Sequence, residues 1–445
     1  MHAANSPTAL PAAHPSGDDL FAETLAPSLS TTAAAASRGD PAELEALLQL
    51  VAGGGPAAPR RRLLRQATPA AALAAGPALW RACGLTGPQL AALQSPPTTA
   101  LERAAQWLDD ANHHLLGWHD PDYPPLLRRC PNPPLALFVA GDPGLLWHPA
   151  VAIVGSRAPT PAGHDNAGEF ARALARGGLL VASGMAAGID TAAHQAALSV
   201  GAPTVAVLGT GPDVPYPRSN GGLHGKIVEH GAIVSEHLPG TGPRREHFPS
   251  RNRILAGLSL GILVIEAAHR SGALITARLA AESGREVMAL PGSIHNPLAR
   301  GCHRLLRDGA ALVERPEDVI ELLAPAAANL AGDLRQRLLA PTSVGTTVVS
   351  SALHDPESGL VTTPTRPARS EPPTPTHGPN LQSEAADGAE RDHHIVWCAL
   401  GHDPTGMDQL VERTGLTAAR LSSMLLLMEL EGRVAAQHGR YFRNR

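Results

Sequence analysis

The chain has 445 residues, of which 43% are apolar, and this is enough to bury a core in each of about two to four domains. Its formal net charge is −4, so the chain as a whole gives no sign of a nucleic-acid partner. The four cysteines lack the spacing of a zinc site or a disulfide framework, which is typical of a reducing compartment. A basic leader and a run of about 18 apolar residues are both missing. We therefore expect a soluble, cytoplasmic protein with no metal site and no membrane contact.

The first third of the chain predicts a tail, a helical domain and a connector. Residues 1–38 are rich in Ala, Ser, Thr and Pro without a period, which indicates disorder. Residues 39–110 contain short leucine-rich helical patterns broken by glycines. Such helices are typical of helix-hairpin-helix or SAM-like modules that bind DNA backbone, but a packing or spacer domain fits them as well. The proline-rich segment that follows predicts a connector with one strand at 135–139.

The region from 111 to 323, with this connector, predicts an α/β core. Residues 151–154 are apolar and mostly β-branched and stop at Gly155, as a buried parallel strand would. A helix fits 163–175, and further strands fit 179–182, 204–208, 232–235, 261–265 and 286–290. Strands that alternate with helices predict a doubly wound parallel sheet of the Rossmann-like type. Ligands of such sheets bind at the carboxyl ends of the strands.

Glycine, serine and arginine residues gather at these predicted strand ends. Glycines beside helix N-termini let a phosphate approach the backbone, and hydroxyl and guanidinium groups donate to its oxygens. The run RREHFPSRNR, residues 244–253, holds four arginines and one glutamate. Because Lys226 is the only lysine, this run indicates either phosphate binding or a general preference for arginine. Phe248 within it suits stacking on an unpaired base or anchoring in the core. The candidates from chemistry alone are Gly155, Ser156, Arg157, Ser183, Gly184, Gly209, Gly211, Arg218, Arg245, Phe248, Arg251, Arg253, Ser271 and Gly272.

Signals for catalysis are weak. The first strand is not followed by GxGxxG, and GxxxxGK[ST] does not occur, so we expect no cofactor and no triphosphate hydrolysis. Asp190 and His194 could imitate an acid–base pair, although a helix brace and a buried histidine fit better. Glu266 could be a general base, but no nucleophile is paired with it. A nucleotide-processing enzyme such as a phosphoribohydrolase stays open as an alternative, although Pro291-Gly292 does not continue into its PGGxGTxxE loop.

The C-terminal part predicts a linker and a small DNA-binding type of domain. Residues 324–390 are dominated by Ala, Pro, Thr and Ser, which indicates a disordered linker. Residues 391–445 predict three helices, the third capped by Thr417 and ending near Leu430, and then a two-stranded hairpin. This is the pattern of a winged-helix domain. Its third helix offers only Arg420 for base edges, so a protein contact is as plausible as DNA binding.

Several ordered motifs together resemble one known family. They are VAIVGSR at 151, SGMAAGIDTAAHQAAL at 183, VAVLGTGPDVPYP at 205, FPSRNRILAGLS at 248, ALPGS at 289 and GCHRLL at 301. Their order over about 170 residues resembles the DNA-processing protein A family, DprA or Smf. The C-terminal segment resembles the winged-helix domain of many members, and the helical region resembles the SAM-like domain of the family.

The resemblance implies a cytoplasmic bacterial homodimer that binds single-stranded DNA, protects it during natural transformation and loads the RecA recombinase. By motif, Arg157 should contact a phosphate, and Arg245 and Phe248 should supply charge and stacking. Arg218 and the RNR motif Arg251, Asn252 and Arg253 complete the implied pocket, unless RNR braces the fold. Two positions depart from the family pattern: Ala187 replaces a usual arginine, and His303 replaces a usual asparagine.

Overall fold

The computed structural model describes residues 40–339, 392–401, 404–437 and 439–443. An N-terminal helical domain comes first. Its first helix begins after Asp40, whose carboxylate accepts from the Ala42 N–H at 3.0 Å, and Pro41 occupies the first turn. The buried Arg60 guanidinium donates to the carbonyls of Val51 and Gly55 near the end of this helix, at 3.1 and 2.9 Å. The helices are α1 Pro41–Ala52, α2 Ala57–Leu64, α3 Pro69–Ala74, α4 Gly76–Ala82, α5 Gly87–Gln94 and α6 Thr98–Leu108.

A nine-stranded sheet in the order β1-β2-β6-β5-β4-β3-β7-β8-β9 forms the core. In this order, every neighbouring pair of strands from β6 across the sheet to β9 is parallel, whereas β2 is antiparallel to both β1 and β6. The expected doubly wound, Rossmann-like sheet is therefore confirmed. The strands are β1 His113–Gly117, β2 Ala136–Gly141, β3 Ala150–Val154, β4 Leu180–Ser183, β5 Thr204–Leu208, β6 Ala232–Ser235, β7 Gly261–Val264, β8 Glu286–Ala289 and β9 Ala311–Leu312.

Helices cover both faces of this sheet, which is why its central strands are apolar throughout. One face packs against α8, α9 and α14, and the other against α7, α11 and α12. β3 is buried at every residue and lies between β4 and β7, where the chain reverses its direction across the sheet. The helices are α7 Pro125–Arg128, α8 Pro161–Arg176, α9 Ile189–Ser199, α10 Gly221–His230, α11 His247–Leu258, α12 Gly272–Glu282, α13 Arg300–Arg307 and α14 Pro316–Leu339.

The structure differs from the sequence-based expectation at both ends of the core. The connector contributes two strands, because β1 pairs with β2 through Leu115 and Leu116. The linker expected from residue 324 begins later, since α14 continues to Leu339 and buries Ala327 and Leu330 against the core. The disorder expected for residues 1–38 lies outside the described residues, as does most of the remaining linker, from residue 340 onward.

The C-terminal domain has the expected winged-helix form. Gly415 ends the second helix in the left-handed conformation, with φ 68°, and the Thr417 side chain caps the third helix by accepting from the Arg420 N–H. Within the described residues, no helix is both long and apolar enough to span a membrane. The elements are α15 at 392–399, β10 Thr405–Gly406, α16 Met407–Thr414, α17 Ala418–Leu430, β11 Val434–Gln437 and β12 Arg440–Arg443.

Candidate nucleic-acid interface

The predicted site residues converge on one edge of the sheet. The segments after β3, β4, β5 and β7 all leave the carboxyl ends of parallel strands, and α8, α9 and α12 begin there. The switch point lies between β3 and β7, where a doubly wound sheet opens its usual ligand crevice. The residues that fill this crevice decide which ligands the edge can take.

Glu266, after β7, occupies the crevice. Its carboxylate accepts from the Thr160 N–H at 2.9 Å and from the Thr160 hydroxyl at 2.6 Å. The Asn296 amide donates to the same carboxylate at 3.0 Å, and Glu266 is 6% exposed. A carboxylate at the N-terminus of α8 satisfies the positive end of that helix from within the protein. A phosphate is therefore excluded from this helix terminus by charge and by space.

A second internal carboxylate, Asp190, satisfies the loop after β4. Its Oδ2 accepts from the N–H groups of Gly184 and Ala186 at 3.2 and 3.3 Å. Burial raises the pKa of Asp190, and the positive charge of Arg251 opposes that rise. The Arg251 guanidinium is itself buried, donates to the Val207 carbonyl at 2.6 Å and lies against the backbone of Gly184, where a Cβ would collide with it. Gly184 is therefore required by its contact with Arg251.

His194 is a fully buried histidine of this network. Its Nδ1 lies 2.8 Å from the Thr204 hydroxyl, which donates to the Val181 carbonyl at 2.7 Å. Burial, together with the charge of Arg251, lowers the pKa of His194 to about 3. Asp190 and His194 thus have separate partners, and the bracing interpretation of both residues describes their geometry.

This histidine predicts a loss of stability in acid. The unfolded chain takes up the proton near pKa 6.5 and the folded chain only near 3, so stability is complete above about pH 6.5 and falls as the pH is lowered. At pH 5 the loss from this group should be about 2 kcal/mol. Urea unfolding at pH 7 and pH 5 should therefore show a smaller acid loss in His194→Gln than in the wild type. Because the two proteins differ only at this histidine, equal losses would contradict the assignment.

Outside the closed crevice lies a group that we call the aromatic–arginine cluster: Arg157, Tyr216 and Phe248. Arg157 and Tyr216 are exposed, and Phe248 is half-buried. The Phe248 and Tyr216 rings are 5.1 Å apart, and the Arg157 guanidinium carbon lies 5.9 Å from the centre of the Phe248 ring. Phe248 lies in the first turn of α11, where the preceding His247 Nδ1 lies 3.2 Å from the Gly209 carbonyl after β5. Two ring faces and a cation therefore meet at the surface, as stacking of an unpaired base requires.

The other predicted site residues fall into two groups. Arg218, on a short 3-10 turn after Tyr216, and Arg245, before α11, are exposed close to the cluster in the chain. Exposed Gly272 begins α12 at the same edge, and half-buried Gly155 and Ser156 precede Arg157. In contrast, the Ser183 hydroxyl donates to the Ile153 carbonyl at 2.6 Å, inside the sheet. Arg253 forms an ion pair with Glu236, and the half-buried Asn252 lies beside it on α11.

Tyr216 and Gly188 are two site positions that the sequence analysis did not select. Tyr216 is 39% exposed, and it is one of only three tyrosines in the chain, so its scarcity next to Arg218 was the available signal. Gly188 has φ 81°, and a Cβ there would lie 2.8 Å from the backbone of Arg157. Only glycine therefore lets the start of α9 support the Arg157 loop.

The two departures from the family motifs, Ala187 and His303, lie in the loop before α9 and on α13. Ala187 is exposed and directly precedes Gly188, the residue that lies against the Arg157 backbone. The His303 Nε2 lies 3.0 Å from the Gly292 carbonyl, so this histidine contacts the loop after β8. The neighbouring Cys302 is buried, and burial raises the pKa of its thiol to about 12. No group of three His, Cys, Asp or Glu that could hold a metal ion occurs among the residues described.

Comparison with known proteins agrees with this architecture. Residues 114–324 match the family model described as DNA recombination-mediator protein A, and residues 379–440 match the DprA winged helix domain. Protein Smf of Escherichia coli is 37% identical over 363 residues, which cover 81% of this chain and 86% of that protein. DNA processing protein DprA of Streptococcus pneumoniae is 47% identical over 201 residues, 45% of this chain and 71% of that protein.

A solved structure gives the same result for the fold. The X-ray structure of DprA from Streptococcus pneumoniae superposes with a TM-score of 0.55 at 36% identity, covering 61% of this chain and 95% of that one. The structural match and the sequence match to Protein Smf therefore point to the same family. The chain belongs to the DprA/Smf family of DNA-processing proteins.

Proposed function

We propose that this chain binds single-stranded DNA at the aromatic–arginine cluster, with Arg218 and Arg245 extending the grip along the backbone. The ring pair beside the Arg157 guanidinium, of which Tyr216 is exposed and Phe248 half-buried, carries this proposal. Aromatic faces stack on unpaired bases whatever their identity, and guanidinium groups bind phosphate oxygens in a forked geometry. The pairing of bases in a duplex would hide the faces that these rings need, so single strands are the preferred ligand.

The division of the arginines supports the same site. Arg157, Arg218 and Arg245 are exposed, and Arg244 beside them is exposed as well. Arg251 and Arg253 are engaged by Asp190 and Glu236 within the core. We therefore assign the RNR motif, with Asn252 between its arginines, to bracing of α11. Gly155, Ser156 and Gly272 shape the loops under the DNA, and Ser183 and Gly184 hold the network beneath them.

The role is binding and protection of DNA, not catalysis. Glu266 is held by Thr160 and Asn296, and His194 is buried with a pKa near 3. A general base needs access to the substrate proton and a pKa near the working pH, so His194 does not qualify. The alternative function, a nucleotide-processing enzyme, would need a phosphate-binding site in the crevice between β3 and β7, which Glu266 fills.

Membership of the DprA/Smf family supports a role of this binding in natural transformation and recombination. We propose that the chain acts in the cytoplasm as a homodimer, covers incoming single strands and passes them to RecA. An ssDNA site on the core of each protomer would let a dimer hold two segments of one strand, which favours retention through effective concentration. The molecular mass of the chemically cross-linked protein tests the homodimer. Pull-down of purified RecA by the DNA-loaded protein tests the RecA contact.

Fluorescence anisotropy tests the DNA site. We expect labelled 30-nucleotide single strands to bind at least tenfold more tightly than the matching duplex at equal salt, because stacking requires unpaired bases. If Arg157, Arg218, Arg244 and Arg245 each neutralise one phosphate, log K should fall against log salt with a slope near −3, at about −0.7 per contact. A slope near zero, or equal binding of the duplex, would contradict the proposal.

The alanine at 187 gives a gain-of-function prediction. Because this position is exposed and precedes Gly188, which packs against the Arg157 backbone, Ala187→Arg should add one phosphate contact to the site. The expected result is about fivefold tighter single-strand binding and a salt slope steeper by about 0.7. Ala187→Gln, which adds length without charge, is the matched control and should leave the slope unchanged. An Ala187→Arg protein with wild-type affinity and slope would place the DNA elsewhere.

A further inference from the structure

The N-terminal helical domain packs against the core beside the exposed segment 242–246, which holds Arg244 and Arg245. Its last helix, α6, buries Ala104 in a small apolar cluster against β2. Leu238, in the loop after β6, packs against the same cluster. Because that loop leads directly into the segment 242–246, the domain contacts the backbone from which the proposed phosphate-binding arginines project.

One arginine of α6 lies on this loop. The Arg103 side chain covers the backbone of Gly240, where a Cβ would be 2.5 Å from a guanidinium nitrogen and 2.9 Å from Cδ. Gly240 has φ 81°, and its N–H donates to the Asp213 carboxylate at 2.8 Å, so the turn is fixed. Arg103 is exposed and has no ion pair within the part of the chain that the structure describes. Its charge is therefore held two residues before the segment 242–246 and stays open to a ligand.

The loop after β5 sets the distance from this arginine to the aromatic–arginine cluster. A Cβ on Gly209 would lie 3.2 Å from the Phe248 ring, and a Cβ on Gly211 would lie 3.0 Å from the Gly240 nitrogen. Two residues of chain span at most about 7 Å. Through these contacts the Arg103 guanidinium lies no more than roughly 22 Å from the Phe248 ring. A stacked strand covers that distance in about six nucleotides, at about 3.4 Å each.

The surface of α6 around Arg103 suits a polyanion. At about 100° per residue, the buried Ala104 lies to one side of Arg103 and Glu102, the one carboxylate of the helix, to the other. Thr99 and Gln106, which lie within about 60° of Arg103, are exposed and neutral. A strand that follows the boundary between α6 and the core therefore meets the cation and neutral donors, with the carboxylate turned away.

Two other features of this domain that could hold a phosphate are engaged within the protein. In the arginine run of α2, Arg60 is buried and Arg62 donates to the Cys83 carbonyl at 2.8 Å. At the glycine turn after α1, the Gln89 amide donates to the Gly54 carbonyl at 2.8 Å. These contacts give the run and the turn structural roles, and they leave α6 as the basic surface that adjoins the core.

We propose that the N-terminal helical domain is part of the single-strand site, and that Arg103 binds a phosphate a few nucleotides away from the base stacked at the aromatic–arginine cluster. The inference rests on the proposed function, since the strand must first lie on the cluster. From there it passes Arg245 and Arg244 and reaches α6. Gly240 is four residues before Arg244, a distance of at most about 14 Å. Successive cations can therefore hold successive phosphates in forked contacts.

Anisotropy of labelled 30-nucleotide oligo(dT) on the full-length chain tests this contact. Arg103→Ala should bind about fivefold more weakly at low salt, with a salt slope shallower by about 0.7. Arg103→Lys keeps the charge and should keep the slope. The matched control is Arg81→Ala, which removes an exposed arginine from α4 of the same domain and should change neither quantity. Wild-type affinity and slope in Arg103→Ala would overturn the proposal.

Photo-cross-linking tests proximity by a second route. The background is Cys398→Ser, because Cys398 is exposed. Arg103→Cys in this background, modified with azidophenacyl bromide and saturated with the same oligo(dT), should cross-link on illumination at least fivefold more than Arg81→Cys. The treated parent without a new cysteine gives the yield from the other thiols. Equal yields at the two positions would show that the strand does not reach α6.

The pair Arg157→Ala with Arg245→Ala separates the two levels of the proposal. Oligo(dT) binding that does not change in this pair would remove the cluster as the DNA site, and the role of Arg103 with it. Binding that is lost in the pair but unchanged in Arg103→Ala would overturn the role of the N-terminal domain alone. Loss in the pair together with the fivefold loss and the shallower slope in Arg103→Ala would establish one continuous site.

Discussion

Replacing both Arg157 and Arg245 by alanine should weaken single-strand binding by about 100-fold or more at moderate salt. A hydrogen bond to a charged group contributes about 1.5–3 kcal/mol, so the loss of two such contacts reaches this range. Either single replacement should cost about tenfold or less, because Arg218 and Arg244 lie nearby in the chain and can hold part of the same backbone. The salt slope of the double variant should be shallower by about 1.4, which corresponds to two phosphates.

Two comparisons separate this effect from a general loss of charge. Arg278→Ala with Arg304→Ala removes two exposed arginines that pair with Glu282 and Asp308 on α12 and α13. This variant has the same net charge as the double site variant and should bind within about twofold of the wild type. Phe248→Ala should cost about 1–3 kcal/mol and Phe248→Tyr much less, if the ring stacks on a base. Equal weakening of the site and control pairs would show that binding is only a long-range charge effect.

Most strands of the core were predictable to within a residue or two because they are short, largely apolar runs that end in a turn. β1 and β9 escaped prediction for physical reasons. β1 begins with two histidines, and β9 has two residues, so both depend on pairing with β2 and β8 and not on their own composition. The helical extension of α14 was not predicted because the high alanine content of residues 324–339 is typical of a linker. The extension packs against the core through Ala327 and Leu330.

The convergence of the candidate residues on one edge of the sheet was predictable from the strand pattern, but the division of the arginines was not. The sequence left open whether the basic run binds phosphate, reflects a general preference for arginine or braces the fold through RNR. In the structure it enters α11 at His247, and Arg251 shares the buried face of that helix with Ile254, Leu255 and Leu258. This spacing of three, four and seven residues was visible in the sequence and would have placed Arg251 inside. The carboxylates that close the crevice belong to Asp190 and Glu266, and only the three-dimensional contacts show what each of them neutralises.

Arg251→Met should lower the free energy of unfolding of the core by about 3 kcal/mol. The methionine has a similar length but carries no charge, so it removes the positive charge that opposes the rise in the pKa of buried Asp190. Leaving a buried charge uncompensated costs about 3–5 kcal/mol. The hydrogen bond to the Val207 carbonyl, 2.6 Å in the wild type, is lost as well. Urea unfolding followed by circular dichroism measures the change in stability. The matched control, Arg278→Met, breaks an exposed pair with Glu282 and should cost less than 1 kcal/mol.

The second replacement Asp190→Asn tells bracing from DNA contact. An asparagine oxygen can still accept from the Gly184 and Ala186 N–H groups, yet it carries no charge that needs Arg251. Arg251→Met with Asp190→Asn should therefore recover at least about 1 kcal/mol of the stability lost in Arg251→Met alone. Single-strand affinity, measured where both proteins are folded, should stay within a few-fold of the wild type. A stable Arg251→Met protein that has lost its DNA affinity would instead make Arg251 a phosphate ligand, and α11 would then have to turn its buried face toward the DNA.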